Sequence, residues 1–307
     1  MKISIVMSVY NGAEHLSMQL DSIVNQTRKA DEIIVIDDNS SDNSYEIINT
    51  FKEQYKTIEW IIIKNEKNLG WRRNFFTGIN MASGDIVFPC DQDDIWKINK
   101  LERMGNVMLS NSNISVLTSN YCAFYENRQS RIIGPNRNNG FIIKNKINSH
   151  FLDVPFPGCT FCLRSSFIKR ISSQWEENYP HDAFYWRYSL IEENCYSLNE
   201  DLIYWRKHAD STFSVESKRN KNRQQKIKMF EYLICFLIKM EKYVIKNNIV
   251  GNKNVIKIIK KTIFFLELRR KLMQDRNVFL MIRLLFWTKY YSSFKSYLGD
   301  IYICFRR

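Results

Sequence analysis

Asp91-Gln92-Asp93-Asp94-Ile95-Trp96 sets three carboxylates within four residues, directly after the apolar run Ile86-Val87-Phe88. A short apolar run of this kind reads as a buried strand, and open α/β sheets place their ligands at the carboxyl ends of such strands. Three acids crowded there repel one another, more strongly as the local dielectric falls. A cation relieves the repulsion, and hard oxygen ligands suit Mg²⁺ or Mn²⁺. The competing account is an acidic helix start, with Asp93 or Asp94 capping a helix that runs from Trp96. A cap uses one carboxylate, whereas this segment holds three.

The elements that must position this cluster follow a regular rhythm over the first hundred residues. Strands are expected at Ile3–Val9, Glu32–Asp37, Ile58–Lys64 and Asp85–Pro89, each rich in Ile and Val. Between them fall helices at about Ala13–Asn25, Ser44–Gln54 and Trp71–Met81, the second introduced by the capping run Ser41-Asp42-Asn43-Ser44. Strand, helix, strand at this spacing predicts a parallel sheet with right-handed crossovers. Asp37-Asp38-Asn39 and the acids at 91–94 then face one crevice. Farther on, Val116-Leu117-Thr118 has strand character, Arg128–Gly140 reads as a loop and Phe161–Ile171 as a helix. Pro155-Phe156-Pro157-Gly158 is a rigid turn, and Tyr179-Pro180-His181-Asp182 opens a further helix.

Charge separates the chain into two parts. Residues 1–214 hold 23 Lys/Arg and 26 Asp/Glu, and residues 215–307 hold 22 and 6, so the net charge of +13 divides into −3 and +16. The second part is expected to meet an anionic surface and the first is not. Past the polar stretch Glu216–Lys228, which is a linker or an exposed helix, the pattern is helical. Ile227, Phe230, Leu233, Ile234, Leu237, Met240 and Val244 form one stripe, and Val255, Ile258, Ile259, Thr262, Phe265 and Leu266 a second. Val278–Trp287 is apolar but for Arg283. Basic amphipathic helices suit an anionic membrane surface, and a helical bundle packed on the protein or on a second copy is the alternative.

The seven cysteines are odd in number and scattered, which favours a reducing cytoplasmic setting. Cys159-x-x-Cys162 has no second pair at zinc spacing, so ordinary buried thiols are expected there. The apolar run at Met1 is too short for a signal sequence, and no run reaches the length of a membrane span.

In their order and spacing, Tyr10-Asn11, Asp37-Asp38-Asn39-Ser40-Ser41-Asp42, Asn68-Leu69-Gly70 and Asp91–Trp96 resemble family 2 glycosyltransferases of the GT-A fold. Pro157-Gly158, His181-Asp182 and Tyr204-Trp205-Arg206-Lys207-His208 extend the resemblance over residues 1–214. The Asp-Gln-Asp-Asp-Ile-Trp form looks most like bacterial rhamnosyltransferase-type members that build surface polysaccharides. The resemblance implies a GT-A-type nucleotide-diphospho-sugar transferase α/β sheet in residues 1–214, and charge and helical period make residues 215–307 a basic α-helical extension beyond it. It implies inverting transfer from dTDP-rhamnose or a UDP-hexose to a saccharide acceptor, lipid-linked in O-antigen or capsule synthesis, with Mn²⁺ or Mg²⁺ as cofactor. The enzyme would then work in the cytoplasm, peripheral on the inner face of the cell membrane, with a homo-oligomer through the C-terminal helices also open.

The implied site residues have physical roles beside that resemblance. Ser8, Tyr10 and Asn11 would line the donor pocket, and Asp38 can accept a hydrogen bond from a pyrimidine imide N–H, or else form an Asx turn. Asp93 is the implied metal ligand, with Asp91 near the ribose or the metal. A divalent ion there neutralises charge developing on the departing diphosphate. Arg73, with Arg72, would add positive charge near the phosphates or else lie on a solvated helix face. Asp182 is the implied general base, a role it can share with starting its helix, and His208 would approach the metal or diphosphate. Two other classes compete. A nucleotidyltransferase wants a Gly-rich loop near the first strand, where Tyr10-Asn11-Gly12-Ala13 offers one glycine. A nucleic-acid-binding protein is suggested by the pI of about 9.3, but the excess charge sits away from the acidic crevice.

Overall fold

The computed structural model describes residues 1–125, 128–135, 138–177, 179–207, 222–249 and 251–306. Two compact units emerge, one of Met1–Asn145 with Val154–Lys207 and the other of Lys146–Asp153 with the residues from 222 onward.

The first unit is built on one ten-stranded sheet. Four strands, β1 (Ile3–Val9), β2 (Glu32–Asp37), β3 (Glu59–Lys64) and β4 (Ile86–Cys90), stand parallel in the order β3-β2-β1-β4. β1, β2 and β4 are buried almost throughout, which explains their continuous rather than alternating apolar character. Helices α1 (Ala13–Val24), α2 (Ser44–Gln54) and α3 (Trp71–Met81) connect them. Because β1 has β2 on one side and β4 on the other, the connections diverge at its carboxyl end, where a crevice opens.

Beyond β4 the sheet becomes mixed. β5 (Ile95–Trp96) is a two-residue strand, followed by α4 (Lys100–Ser110), β6 (Val116–Tyr125), β7 (Arg128–Ile133) and β8 (Ile142–Lys144). β9 (Phe161–Arg164) runs antiparallel between β4 and β6, and α5 (Ser165–Ile171) and α6 (His181–Ile191) follow. The long β10 (Cys195–Lys207) lies parallel to β6 and antiparallel to β5.

Three local expectations are corrected. Phe161–Arg164 is a strand, because a segment with three apolar residues carries no usable period and the gap between β4 and β6 selects the extended form. Arg128–Ile133 pairs with β6 although its composition has weak β-preference, so the backbone ladder recruits it. No helix runs from Trp96: Ile95 and Trp96 pair with Tyr204 and Ile203, and the helix begins only at Lys100.

In the second unit, α7 (Arg223–Lys246) and α8 (Asn252–Asp275) are each 24 residues long. α9 (Val278–Leu285) and α10 (Phe294–Phe305) follow. Ile227, Phe230, Ile234, Leu237, Met240 and Val244 are buried as the stripe predicts, as are Val255, Ile259, Phe265 and Leu266. Leu233 and Ile258 are only half-buried. Among the described residues no helix is long and apolar enough to cross a membrane.

Candidate functional site

The loops after β1, β2 and β4 are tied to one another by side chains. Asn11, at φ 47°, leaves β1 in the left-handed region that Asn tolerates better than most residues. Its backbone N–H donates to Ser40 Oγ at 3.0 Å, and its Oδ1 accepts the N–H of Ser41 at 2.8 Å. Ser44 Oγ accepts the N–H of Gly12 at 2.9 Å, and Asp42 accepts that of Ala13 at 3.0 Å, so the start of α1 is satisfied from the neighbouring loop. Against its partial burial, the Ser44 hydroxyl and N–H and the Ala13 N–H, all donating to Asp42, hold its carboxyl below the ordinary value.

Gln92 joins the other side of the crevice. Its Oε1 accepts the Tyr10 N–H at 2.8 Å and its Nε2 donates to the Tyr10 carbonyl at 3.2 Å. Gly12 leaves room for this clamp, since a Cβ there would stand 2.5 Å from Gln92 Oε1. Tyr10 itself is about half exposed, and Ser8 Oγ accepts from Asn74 Nδ2 at 3.3 Å.

Asp38 is buried and organises the loop that leads into α3. Its oxygens accept from Asn65 Nδ2, from the Leu69 N–H and from the Gly70 N–H, each at 2.8 Å. Gly70 sits at φ 86°, where a glycine is needed to turn the chain into α3. A carboxylate has about four lone-pair sites, so Asp38 keeps about one for a ligand. Arg73, one helical turn on, pairs at the surface with Glu177 at 2.5 Å.

The acidic segment is gripped by Arg206 on β10. The Arg206 N–H donates to Asp94 Oδ1 at 3.0 Å and its Nε to the Asp93 carbonyl at 2.7 Å. Asp94 is fully buried, and among the described residues its Oδ2 has no hydrogen-bond partner. Ligand atoms of Asp91, Asp94 and Cys159 lie within 4.8 Å of one another. Burial, followed by the charges of Asp93 and Asp182, pushes the Asp91 carboxyl up to about 7. Burial, with the charges of Asp93 and Asp91, raises Asp94 well above the carboxylate range. The positive charge within reach, on Lys100 and Arg206, does not offset the burial of these acids, and an orphaned buried carboxylate oxygen is what a divalent cation would satisfy.

Beneath it, Lys100 is fully buried, donates from Nζ to the Cys159 carbonyl at 2.6 Å and stands 3.8 Å from the Trp96 ring centroid. Burial pushes it down to about 8, with Asp94 opposing the shift.

α6 brings the last acid. Ten of its 11 residues are buried, and Asp182 alone is half-buried. Its Oδ1 accepts the Ala183 N–H at 2.6 Å, a first-turn contact that leaves the other oxygen for chemistry. The influence of Asp182 on Asp91 places both acids in one electrostatic neighbourhood. His181 is packed on Phe75 with centroids 4.2 Å apart, and burial pushes it down to about 4, so it is neutral at ordinary pH. A Cβ at Gly158 would lie 2.6 Å from His181 Nε2, so only glycine lets that turn approach the start of α6.

The structure thus gathers Ser8, Tyr10, Asn11, Asp38, Asp91, Asp93 and Asp182 on unit one. Asp93 is half-buried and outside the three-ligand group, in which Asp94 and Cys159 accompany Asp91. His208 lies outside the described residues. The sequence reading assigns no site role to Gln92, Lys100 or Arg206, and Cys159 is the ordinary buried thiol expected of it. A buried lysine carries no sequence signal, whereas Gln92 and Arg206 lay inside quoted motifs.

These elements make a GT-A fold, and comparison with known proteins agrees. The family model described as "Glycosyl transferase family 2" matches residues 4–171, so the chain belongs to that family. It is 29% identical over 222 residues to an Escherichia coli protein named UDP-Glc:alpha-D-GlcNAc-diphosphoundecaprenol beta-1,3-glucosyltransferase WfgD, covering 71% of this chain and 81% of that one. It is 25% identical over 232 residues to the Shigella flexneri dTDP-rhamnosyl transferase RfbG, covering 69% and 77%. Other curated glycosyltransferases are matched over only 36% and 43% of their own length. Among solved structures, residues 1–349 of S. aureus TarS with UDP-GlcNAc superpose with a TM-score of 0.61 at 16% identity, covering 78% of this chain and 66% of that one.

Proposed function

We propose that the chain is an inverting, metal-dependent glycosyltransferase that moves a sugar from a nucleoside-diphosphate donor to a saccharide acceptor in bacterial surface-polysaccharide synthesis. The observation that carries this is the convergence, in a family 2 fold, of Asp91, Asp93 and Asp94 just past β4 with Asp182 in the first turn of α6, where burial, followed by the charges of Asp93 and Asp182, pushes Asp91 up to about 7. Asp38, Ser8, Tyr10 and Asn11 hold the nucleoside side of the crevice. The spare lone pair of Asp38 suits the imide N–H of uracil or thymine, which cytosine lacks. Asp91 and Asp93 would hold Mn²⁺ or Mg²⁺ through carboxylate oxygens, with Asp94 beside Asp91, whereas the Cys159 thiol, pushed well up by burial, suits neither ion. Bound there, the ion would neutralise charge on the two phosphates.

Asp182 takes the proton of the acceptor hydroxyl as that oxygen attacks the anomeric carbon. The bond from that carbon to the diphosphate oxygen breaks, the nucleoside diphosphate leaves with the electron pair, and the anomeric configuration inverts. A positioned base is worth on the order of 10²–10⁴ in rate. The names of WfgD and RfbG support UDP-glucose and dTDP-rhamnose as the first donors to test, and the diphosphoundecaprenol in the former supports a lipid-linked acceptor. Asp93→Ala should abolish Mn²⁺-dependent donor hydrolysis while the fold persists. Hydrolysis at the wild-type rate would remove the metal assignment.

A further inference from the structure

In the second unit α10 is turned inside out. Its buried stripe, Tyr297, Asp300 and Cys304, contains an acid, while Phe294, Leu298 and Tyr302 are exposed at four-residue spacing. The cause is a charge anchor. Asp300 is fully buried and accepts from Lys226 Nζ at 3.0 Å, Arg269 Nε at 2.6 Å and Tyr291 Oη at 3.2 Å. Arg269 in turn lies over the rings of Phe230, Tyr291 and Phe265. Three elements hold the one acid of α10 inward, so the helix cannot roll its apolar stripe into the core without burying unpaired charges.

α9 adds to the same property. Phe279, Ile282 and Phe286 fall at helical spacing, and the two phenylalanines are 81% and 82% exposed. Scattered exposed apolar residues need no explanation, but two stripes on consecutive short helices do. Residues 276–307 carry six Lys/Arg, and Asp300 is their only acid. The exposed surface of this segment is therefore apolar and cationic, and an acid that touches it from elsewhere in the unit is Asp153, which accepts from Ser292 Oγ at 3.1 Å.

We propose that α9 and α10 form an interfacial docking face for an anionic lipid bilayer, with Phe279, Phe286 and Phe294 entering the headgroup–acyl boundary and Arg283, Lys289 and Lys295 meeting the headgroups. Charge selects this occupant over a second copy of the chain. A second copy would bring its own +16 from residues 215–307, whereas an anionic surface attracts every one of these cations. Neither helix is long and apolar enough to cross the bilayer, so the face lies on it. The inference stands apart from the proposed chemistry, since a chain that transferred no sugar would still carry this surface.

The test is flotation of the full chain with vesicles of phosphatidylcholine alone or with one third phosphatidylglycerol. The wild type should float with the anionic vesicles, should stay behind with neutral ones, and should lose affinity in 0.5 M salt. Phe279→Ser with Phe286→Ser should lower binding by about tenfold or more with an unchanged melting temperature, because both side chains are already in solvent. Should that pair fail to fold, Lys289→Glu with Lys295→Glu should give the same loss. Wild-type flotation by a folded variant pair would overturn the proposal. So would equal binding to neutral vesicles, or a dimer in sedimentation equilibrium that the phenylalanine variants dissociate.

Discussion

Removing the Asp38 carboxylate should cost the first unit stability before it costs anything to a ligand. Three donors converge on this buried group at 2.8 Å, two of them backbone N–H groups of the loop entering α3. Hydrogen bonds to a charged acceptor contribute roughly 1.5–3 kcal/mol each. Leu69 is exposed, so water can replace part of what its N–H loses, and the bonds are not independent. About 3–4 kcal/mol is therefore expected for Asp38→Ala. In a unit of about 200 residues this lowers the melting temperature by about 6–16 °C. Asp38→Asn keeps one oxygen but turns an amide NH₂ toward the other donors, and it should fall between wild type and alanine. Tryptophan fluorescence melting reads both variants, since Trp60, Trp71 and Trp96 all belong to this unit. Nucleotide titration on the folded fraction should then show weaker donor binding. An Asp38→Ala melting temperature within about 2 °C of wild type would refute the reasoning and leave Asp38 as a ligand contact alone.

Asp300→Ala strands Lys226 and Arg269 in the second unit without their shared acid, and breaking a buried pair of this kind costs about 3–5 kcal/mol. Chemical denaturation should show that loss, and a cost under about 1 kcal/mol would dismiss the anchor. Metal affinity should depend on pH through Asp91. A cation needs the ionised carboxylate, whose pKa stands at about 7, so Mn²⁺ affinity measured by calorimetry should drop toward tenfold per pH unit below that value and stay level above it. The sign for the metal-free protein is the opposite. A carboxyl raised on folding keeps a proton that the unfolded chain has lost, so its contribution to stability falls as pH rises from about 4 to about 7. A melting temperature that shows no such component when wild type is compared with Asp91→Asn would contradict the shift.

The parallel half of the sheet was legible because β1, β2 and β4 are buried on both faces and all four strands are rich in Ile, Val or both. β1 and α2 fall at their expected bounds, and Ile86–Cys90 is shifted by one residue. The mixed half was not, since β9 is four residues long and β5 two, too short for any period to register. At the site, residue types at strand ends could be read, but their division of labour could not. Asn11 and Asp38 looked like pocket walls, and both are occupied in holding loops together. Lys100 was invisible because its position on α4 matches that of any surface lysine, and only the packing of Trp96 and Cys159 buries it. The exposed stripes of α9 and α10 were read as a general basic amphipathic tendency. The outward direction of α10 depends on Asp300 meeting partners 31 and 74 residues away, which no local pattern announces.

The central claim is that Asp182 removes the acceptor proton in a crevice that binds the nucleotide without it. The direct measurement compares wild type with Asp182→Asn, using UDP-glucose and dTDP-rhamnose with Mn²⁺, and follows donor-induced thermal stabilisation and sugar transfer in parallel. The account predicts equal stabilisation by the donor in both proteins and a loss of at least about 10² in transfer by the variant. Transfer within a few-fold of wild type, with the donor bound equally well, would contradict it.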